Sequence, residues 1–417
     1  MRPMSTFLDD HMVVTRRFFF GLGSVGIVAL KSLPVLADDA RDAASLQEAI
    51  GNIESWLTKP ADFRDVSRGT PVPHTLPLEK RQEVGLTRDT WKLEVASDPD
   101  HPARLRTPLT KDKNTALDFA GLMKIAEQET VRFPKVMTCL NIGCPLGNGI
   151  WEGVPLRKIV WLTQPTKNFR RIHYYGYHND DPKQLFQSSL PIGRVLEDLY
   201  DLPPVILCYK LNGQWLSPER GGPVRVVIPE AYGFKNIKWL THMFLSNLAS
   251  ANDTYANGNN DVDSPLKTFC ATLLAPGNTP ARQPIPITGY AQVGVSGLSR
   301  VQVWIHNSKD KLPAGDRYYS QAPWRDAQIL PPPQAWGGDI EGDRIPANTL
   351  GFDKGHPQTW PMRLTKAHWA ILHPGLPPGE YTLRSRTIDE KGNAQPLPRP
   401  YAKSGHATIE QVEFTVS

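Results

Sequence analysis

The sequence predicts a two-domain protein: an α+β domain followed by an all-β sandwich of roughly the immunoglobulin class. Three observations lead there. Removing an N-terminal leader leaves about 380 residues, more than one hydrophobic core ordinarily holds. Short strands and helices alternate irregularly from Trp91 to about residue 275. Beyond the Pro/Gly-rich stretch "LLAPGNTPARQPIPITG", short alternating segments bounded by turn residues replace them, with little helical periodicity. The expected divisions are 1–37, 38–278 and 279–417.

Residues 1–37 read as a removable export signal. Arg16 and Arg17 precede a glycine-bearing apolar stretch ending at Leu30, and Val35-Leu36-Ala37 supplies a small-residue cleavage site. The apolar part is too short for a stable membrane anchor. The arginine pair suggests the twin-arginine route, hence a periplasmic address and a protein exported already folded, often around a cofactor. A buried N-terminal helix with a chance Arg-Arg is the plain alternative. Loss of Arg2, Arg16, Arg17, Lys31, Asp9 and Asp10 takes the net charge from +5 to +3. So small and evenly spread a charge argues against nucleic acid or a membrane surface as partner, and no second long apolar run predicts a membrane span in the mature chain.

Element by element, "DAASLQEAIGNIESWL" is helical in spacing, and a proline- and charge-rich loop leads to the strand "WKLEVAS". "ALDFAGLMKIAEQE" and "PIGRVLEDLYD" read as helices. "RRIHYYGYH", "VILCYKLNG", "PVRVVIPE" and "IKWLTHMFL" read as strands. In the second part "GYAQVGV", "RVQVWIH", "HWAILH", "GEYTLRSRTID" and "ATIEQVEFTVS" are the strands, and "LPPPQAWGGDIEGDRIP" reads as an extended surface loop.

Chemistry concentrates in two places. Cys139 and Cys144 lie five apart in "VMTCLNIGCPLGNGIWEGVPLRKIV", in a chain with 4 cysteines, open to disulfide, ligand, nucleophile or core roles. Cys208 and Cys270 read as core residues. No Cys-x-x-Cys-His occurs, so no covalently attached haem is expected. Between residues 206 and 240, Arg220, Arg225, Lys235 and Lys238 accompany Gly221, Gly222 and Gly233, a composition suited to an anionic ligand. Solvated cations around a tight turn are the alternative.

These stretches together resemble the sulfite oxidase family of molybdopterin-dependent oxidoreductases. The motifs are Asn212-Gly213, Gly221-Gly222-Pro223-Val224-Arg225 and Gly233-Phe234-Lys235-Asn236-Ile237-Lys238-Trp239-Leu240. "SSLPIGRVLED", "WEGVPLRKIV" and the C-terminal "RSRTIDEKGNAQP" are similar to further family segments, in order over roughly residues 85–417. The resemblance implies a molybdenum–molybdopterin cofactor with Cys139 as the thiolate ligand. It also implies a basic set of Arg220, Arg225, Lys235 and Lys238 around the pterin phosphate, with Ser189 as a further contact. Tyr255 stands where an active-site tyrosine is expected, and Asn141 lies beside the ligand; a polar connector and a turn residue are their plain readings. A local Cys139–Cys144 disulfide would exclude ligation.

Two departures concern the substrate half. "CLNIGCPLG" offers no arginine before Arg157, and the family's upstream Arg-Asn-His is missing, with Arg81 and Arg88 as possible substitutes. The resemblance implies two-electron oxo transfer on a small molecule such as sulfite, electrons passed to an external cytochrome c, and homodimerisation through the C-terminal domain. A sulfoxide-type reductase, or an exported binding protein without cofactor, are the alternatives.

Overall fold

The structure is a computed structural model and describes residues 40–417 apart from 143, 200–201, 275–276, 313–314, 317, 396–398 and 406. The expected export signal, residues 1–37, lies outside the described residues. Among them, no helix is long and apolar enough to cross a membrane.

Helix α1 (Ala40–Gly51) stops well short of the helical reach suggested by its sequence. Residues 52–77 instead form an irregular strap with two short 3-10 turns. The short helix α2 (Leu78–Glu83) leads to two five-stranded sheets. The first contains β1 (Lys92–Ser97), β2 (Leu117–Asp118), β5 (Arg171–Gly176), β6 (Gln187–Pro191) and β10 (Leu240–Ser246), in the order β2-β1-β10-β5-β6. Only β1 and β10 run parallel. The second has the order β8-β7-β4-β3, where β3 is Val131–Thr138, β4 Pro145–Pro155, β7 Ile206–Leu211 and β8 Gln214–Trp215. Strand β9 (Arg225–Val227) also pairs with β7.

Helix α3 (Phe119–Glu129) starts where Asp118 accepts a hydrogen bond from Gly121 N at 2.7 Å, and buries Leu122 and Ala126. With α4 (Leu156–Leu162) and α5 (Ile192–Leu196) it closes one core against both sheets, filled by Leu93, Ile172 and Met243 from the first and Val154, Leu207 and Val226 from the second. The far face of the second sheet is buried too, under Phe63, Phe133, Met137 and Trp151. Glycine makes that possible. A Cβ at Gly147 of β4 would meet the Phe63 ring at 2.5 Å, so the strap lies directly on the strand. There Thr58 N donates to Asn148 O at 2.7 Å and Arg64 N to Leu146 O at 2.8 Å.

The C-terminal strands form one eight-stranded sheet: β11 (Phe269–Leu274), β12 (Asn278–Thr279), β13 (Ile285–Gln292), β14 (Arg300–Asn307), β15 (Arg325–Ile329), β16 (Lys366–His373), β17 (Gly379–Ile388) and β18 (Glu410–Val416). Their order is β11-β13-β16-β15-β14-β17-β18-β12. β15 changes partner part-way, with Arg325 to Ala327 against β14 and Gln328 and Ile329 against β16, which folds the sheet over its own core of Ile287, Val301, Val303, Trp369 and Leu383. The two parts meet through main-chain and side-chain bonds, such as Val136 N to Leu364 O at 2.7 Å.

The proline-rich stretch 330–346 is not a surface loop. Trp336, Ile340 and Ile345 are buried against Trp56, Leu57 and Ile150, and Gly338 O accepts from Asn212 Nδ2 at 2.9 Å. Proline and glycine set its backbone, while widely spaced apolar side chains pin it to the strap. Truncating Trp336 to alanine removes the ring packed edge-on to Trp56 at 5.2 Å. The expected cost is about 3–5 kcal/mol, read as a lowered denaturation midpoint.

Candidate active site

A cavity of about 260 Å3 opens where five segments converge. The end of β3 delivers Cys139 and Asn141, and the β5–β6 loop delivers Tyr177, His178 and Phe186. The run from Arg220 to Trp239 supplies the cations, and the strap closes the cavity with Phe63 to Gly69. Tyr255 enters from the loop after β10.

The cationic wall is the most constrained part. Arg220 Nη1 donates to Phe63 O at 2.7 Å, and another of its nitrogens pairs with Glu219. Arg225 donates to Arg220 O at 2.9 Å and Asn236 O at 2.7 Å, with its guanidinium 5.2 Å from the Trp151 ring centroid. Both arginines are buried, yet the Nε of each has no hydrogen-bond partner. Burial pushes Arg225 down to about 10. Lys238 Nζ donates to Asp65 Oδ1 (2.8 Å), Ser67 Oγ (2.6 Å) and Glu219 O (2.7 Å). Burial first, and then Arg225, lowers its amine to about 8. Burial works against ionisation of Asp65, but hydrogen bonds from Lys238 and Ser67 outweigh it and hold the carboxyl near 2. Gly221, at φ +93°, is required here: a Cβ would meet the Lys238 side chain at 2.6 Å.

Cys139 is half-buried, and all four cysteines are free thiols, so Cys139 and Cys144 are not joined. Cys144 Sγ instead accepts from Arg64 Nη1 at 3.4 Å. Cys208 and Cys270 are fully buried, and burial pushes the Cys208 thiol up to about 12. A Cβ at Gly233 would lie 3.3 Å from Thr138 O, so the turn leading to Lys238 packs directly on the cysteine loop.

Tyr255 links the strap to the cysteine loop. Its hydroxyl accepts from Arg68 Nη2 at 2.5 Å and from Asn141 Nδ2 at 2.9 Å. With both acceptor positions occupied, its own proton is left for a third partner. The Arg68 guanidinium lies 4.7 Å from the Phe186 ring centroid and 5.1 Å from that of Tyr255.

Thus the structure gathers Cys139, Asn141, Arg220, Arg225, Lys238 and Tyr255 around one cavity. It sets Ser189 and Lys235 elsewhere. Lys235 Nζ donates to Asp253 Oδ2 at 2.7 Å and Ser189 O at 2.8 Å, and the Ser189 hydroxyl bonds the same buried carboxylate. They fasten the loop that carries Tyr255. Arg81 and Arg88 also turn away, Arg81 to Leu76 O and Arg88 over the Trp215 ring. Among the described residues, the cations reaching the cavity from upstream are Arg64 and Arg68, in a segment the sequence left without a role. Asn236, which holds Ile228 N and bonds two carbonyls of its own turn, was the other omission; its place inside "GFKNIKWL" was the available clue.

Residues 82–254 match a family model described as an oxidoreductase molybdopterin binding domain. The mitochondrial sulfite oxidase of Drosophila melanogaster is 31% identical over 206 residues, 48% of this chain and 33% of that one. The methionine-sulfoxide reductase catalytic subunit MsrP of Ralstonia nicotianae is 24% identical over 323 residues, covering 70% of this chain and 92% of the relative. Together these matches support a molybdopterin oxidoreductase of the sulfite oxidase type. It spans only a third of the sulfite oxidase, and 12% of the NADH nitrate reductase of Ulva prolifera, to which it is 32% identical over 108 residues. The sulfane dehydrogenase SoxCD of Paracoccus pantotrophus shares the fold, with a TM-score of 0.55 over 95% of this chain and 96% of that one at 15% identity.

The family's cofactor fits the residues present. Arg220, Arg225, Lys238 and Arg68 face the cavity, with Asp65 and Glu219 as the carboxylates paired to them. Two unpartnered guanidinium nitrogens call for an anion with several acceptors, such as a phosphate. A half-buried free thiol in the same cavity suits a soft metal. Because Lys238 is charged only below about 8, pyrophosphate affinity of the cofactor-free protein should fall as pH rises through that value. In Lys238→Met that step should vanish; calorimetric titration across pH 6.5–9.5 (about the range bracketing the shift) reads it.

Proposed function

We propose that this protein is a periplasmic enzyme that oxidises sulfite or a related small sulfur anion and passes the electrons to an external cytochrome c. The observation carrying this reading is that the free Cys139 thiol and the cations Arg220, Arg225 and Lys238 line the same cavity. When bound, molybdenum–molybdopterin supplies two-electron oxo transfer. Cys139 would hold the metal as a thiolate, and Arg220, Arg225 and Lys238 would grip the phosphate, with Asn236 keeping their turn in shape. Lys235 and Ser189 would act indirectly, through Asp253 and the Tyr255 loop.

Arg68 would bind the anionic substrate, which compensates for the cysteine loop having no arginine of its own. Asn141 would orient the Tyr255 hydroxyl, whose remaining proton can be donated to substrate or water. Phe63, Phe186, Phe234 and Trp239 would exclude bulk solvent around these groups.

For the whole chain, the reading is a twin-arginine leader at 1–37, a cofactor domain at 38–278 and an immunoglobulin-like dimerisation domain at 279–417. A reductase acting on sulfoxides is the second reading, favoured by the extent of the MsrP match and by the aromatic wall of Phe186, Phe234 and Tyr255. Electron partners separate the two: oxidation coupled to cytochrome c supports the first, and sulfoxide-dependent oxidation of a reduced dye supports the second. A binding protein without cofactor has no use for two buried guanidinium groups that each leave one nitrogen without a partner.

Protein made in a host that synthesises the cofactor should contain about one molybdenum and one pterin per chain. Arg225→Met should lose both by tenfold or more, while Cys139→Ala should keep pterin with altered metal signals. Metal and pterin analysis reads this, and a parent free of both would refute the enzyme reading.

A further inference from the structure

Arg68 reaches the cavity from a strap with no regular secondary structure, so something else must fix it. One side chain takes both main-chain polar groups of Thr70. Gln184 Oε1 accepts from Thr70 N at 2.9 Å, and Gln184 Nε2 donates to Thr70 O at 3.2 Å, as a neighbouring strand would. The amide is itself oriented, since Asn179 Nδ2 donates to Gln184 Oε1 at 2.9 Å and Asp181 Oδ2 accepts from Gln184 Nε2 at 3.2 Å. Asn179 also donates to Pro71 O at 2.8 Å. Gly69 links the clamped residue to Arg68 at φ +125°, where a Cβ would meet Pro71 O and the Pro73 ring at 2.9 Å. Phe186, two residues beyond Gln184, carries the Arg68 guanidinium on its ring. A single loop therefore holds the main chain of the strap and seats the head of its arginine.

We propose that Gln184 is the positioning residue for Arg68, setting where the guanidinium meets an oxyanion substrate. This rests on the reading of Arg68 as the substrate's anion site. Loss of the amide leaves Arg68 charged and present but free to swing with the strap, so anion affinity falls without loss of the cation.

The test is a double-mutant cycle on the cofactor-loaded enzyme, with sulfate as the probe, titrated by calorimetry at low ionic strength. Arg68→Met should weaken sulfate binding by more than tenfold, and Gln184→Ala by about five- to tenfold, the effect of one or two hydrogen bonds. In the Arg68→Met background, Gln184→Ala should change nothing further. Gln184→Glu keeps the acceptor for Thr70 N and loses the donor to Thr70 O, so it should fall between parent and Gln184→Ala; molybdenum content verifies that each variant is loaded. An equal loss from Gln184→Ala in both backgrounds would mean that Gln184 meets the anion itself, overturning the positioning role. Parent-like binding by Gln184→Ala beside a weakened Arg68→Met would overturn it while leaving Arg68 as the anion site. A parent that binds no sulfate, or an Arg68→Met that binds it unchanged, would remove the reading of Arg68 and this inference with it.

Discussion

Two buried guanidinium groups, each with one nitrogen left unbonded, constrain everything around them. Taking a cation out of water costs several kcal/mol unless its charge is met. Here the protein meets only part of it. Main-chain carbonyls of Phe63, Arg220 and Asn236 satisfy the other nitrogens, and Glu219 pairs with Arg220. Both arginines line the cavity. A fold that leaves such a deficit is incomplete without a polyanion, so cofactor binding and stability of this region are one equilibrium.

The strap follows from the same constraint. It supplies Phe63 O to Arg220 and Asp65 to Lys238, and it can lie close enough only because β4 presents Gly147 and Gly149 to the Phe63 ring. Having been brought there for the cations, it carries Arg68 onward to Tyr255. The cationic wall and the Arg68–Tyr255 pair are thereby joined through nine residues of irregular chain, from Phe63 to Pro71.

What the sequence disclosed divides along that line. Arg225, Lys238 and the glycines between them lie in one short run, so their composition alone suggests an anion clamp. Cys139, by contrast, was singled out by resemblance, as the cysteine standing at some distance before "WEGVPL". Lys235 was grouped with the clamp because it lies in the same run, and Ser189 because "SSLPIGRVLED" resembles a family segment, but neither fixes direction: Lys235, in the 3-10 turn at Gly233–Lys235, pairs with Asp253, whereas Lys238 pairs with Asp65. Strand β4 was obscured by its glycines and proline, which dilute the alternation a strand normally shows. Arg68 was beyond reach, since its partner Tyr255 is 187 positions away and its neighbours read as loop. The Trp336 stretch was misjudged because proline and glycine outnumber the three apolar residues that bury it.

The Tyr255 loop carries the argument past the cofactor-binding part of the chain. Asp253 holds its start through Lys235 and Ser189, but its end is held from the C-terminal side. Asp261 N donates to Lys403 O, Ala402 N donates to Asn259 O, and Arg399 pairs with Asp261. The Lys403 ammonium also lies 5.4 Å from the Tyr255 ring centroid. The phenol that accepts from Arg68 is therefore fixed between residues more than three hundred positions apart in sequence. Its orientation depends on both parts of the chain being folded against each other, which makes the C-terminal sheet part of the site's geometry rather than an appendage to it.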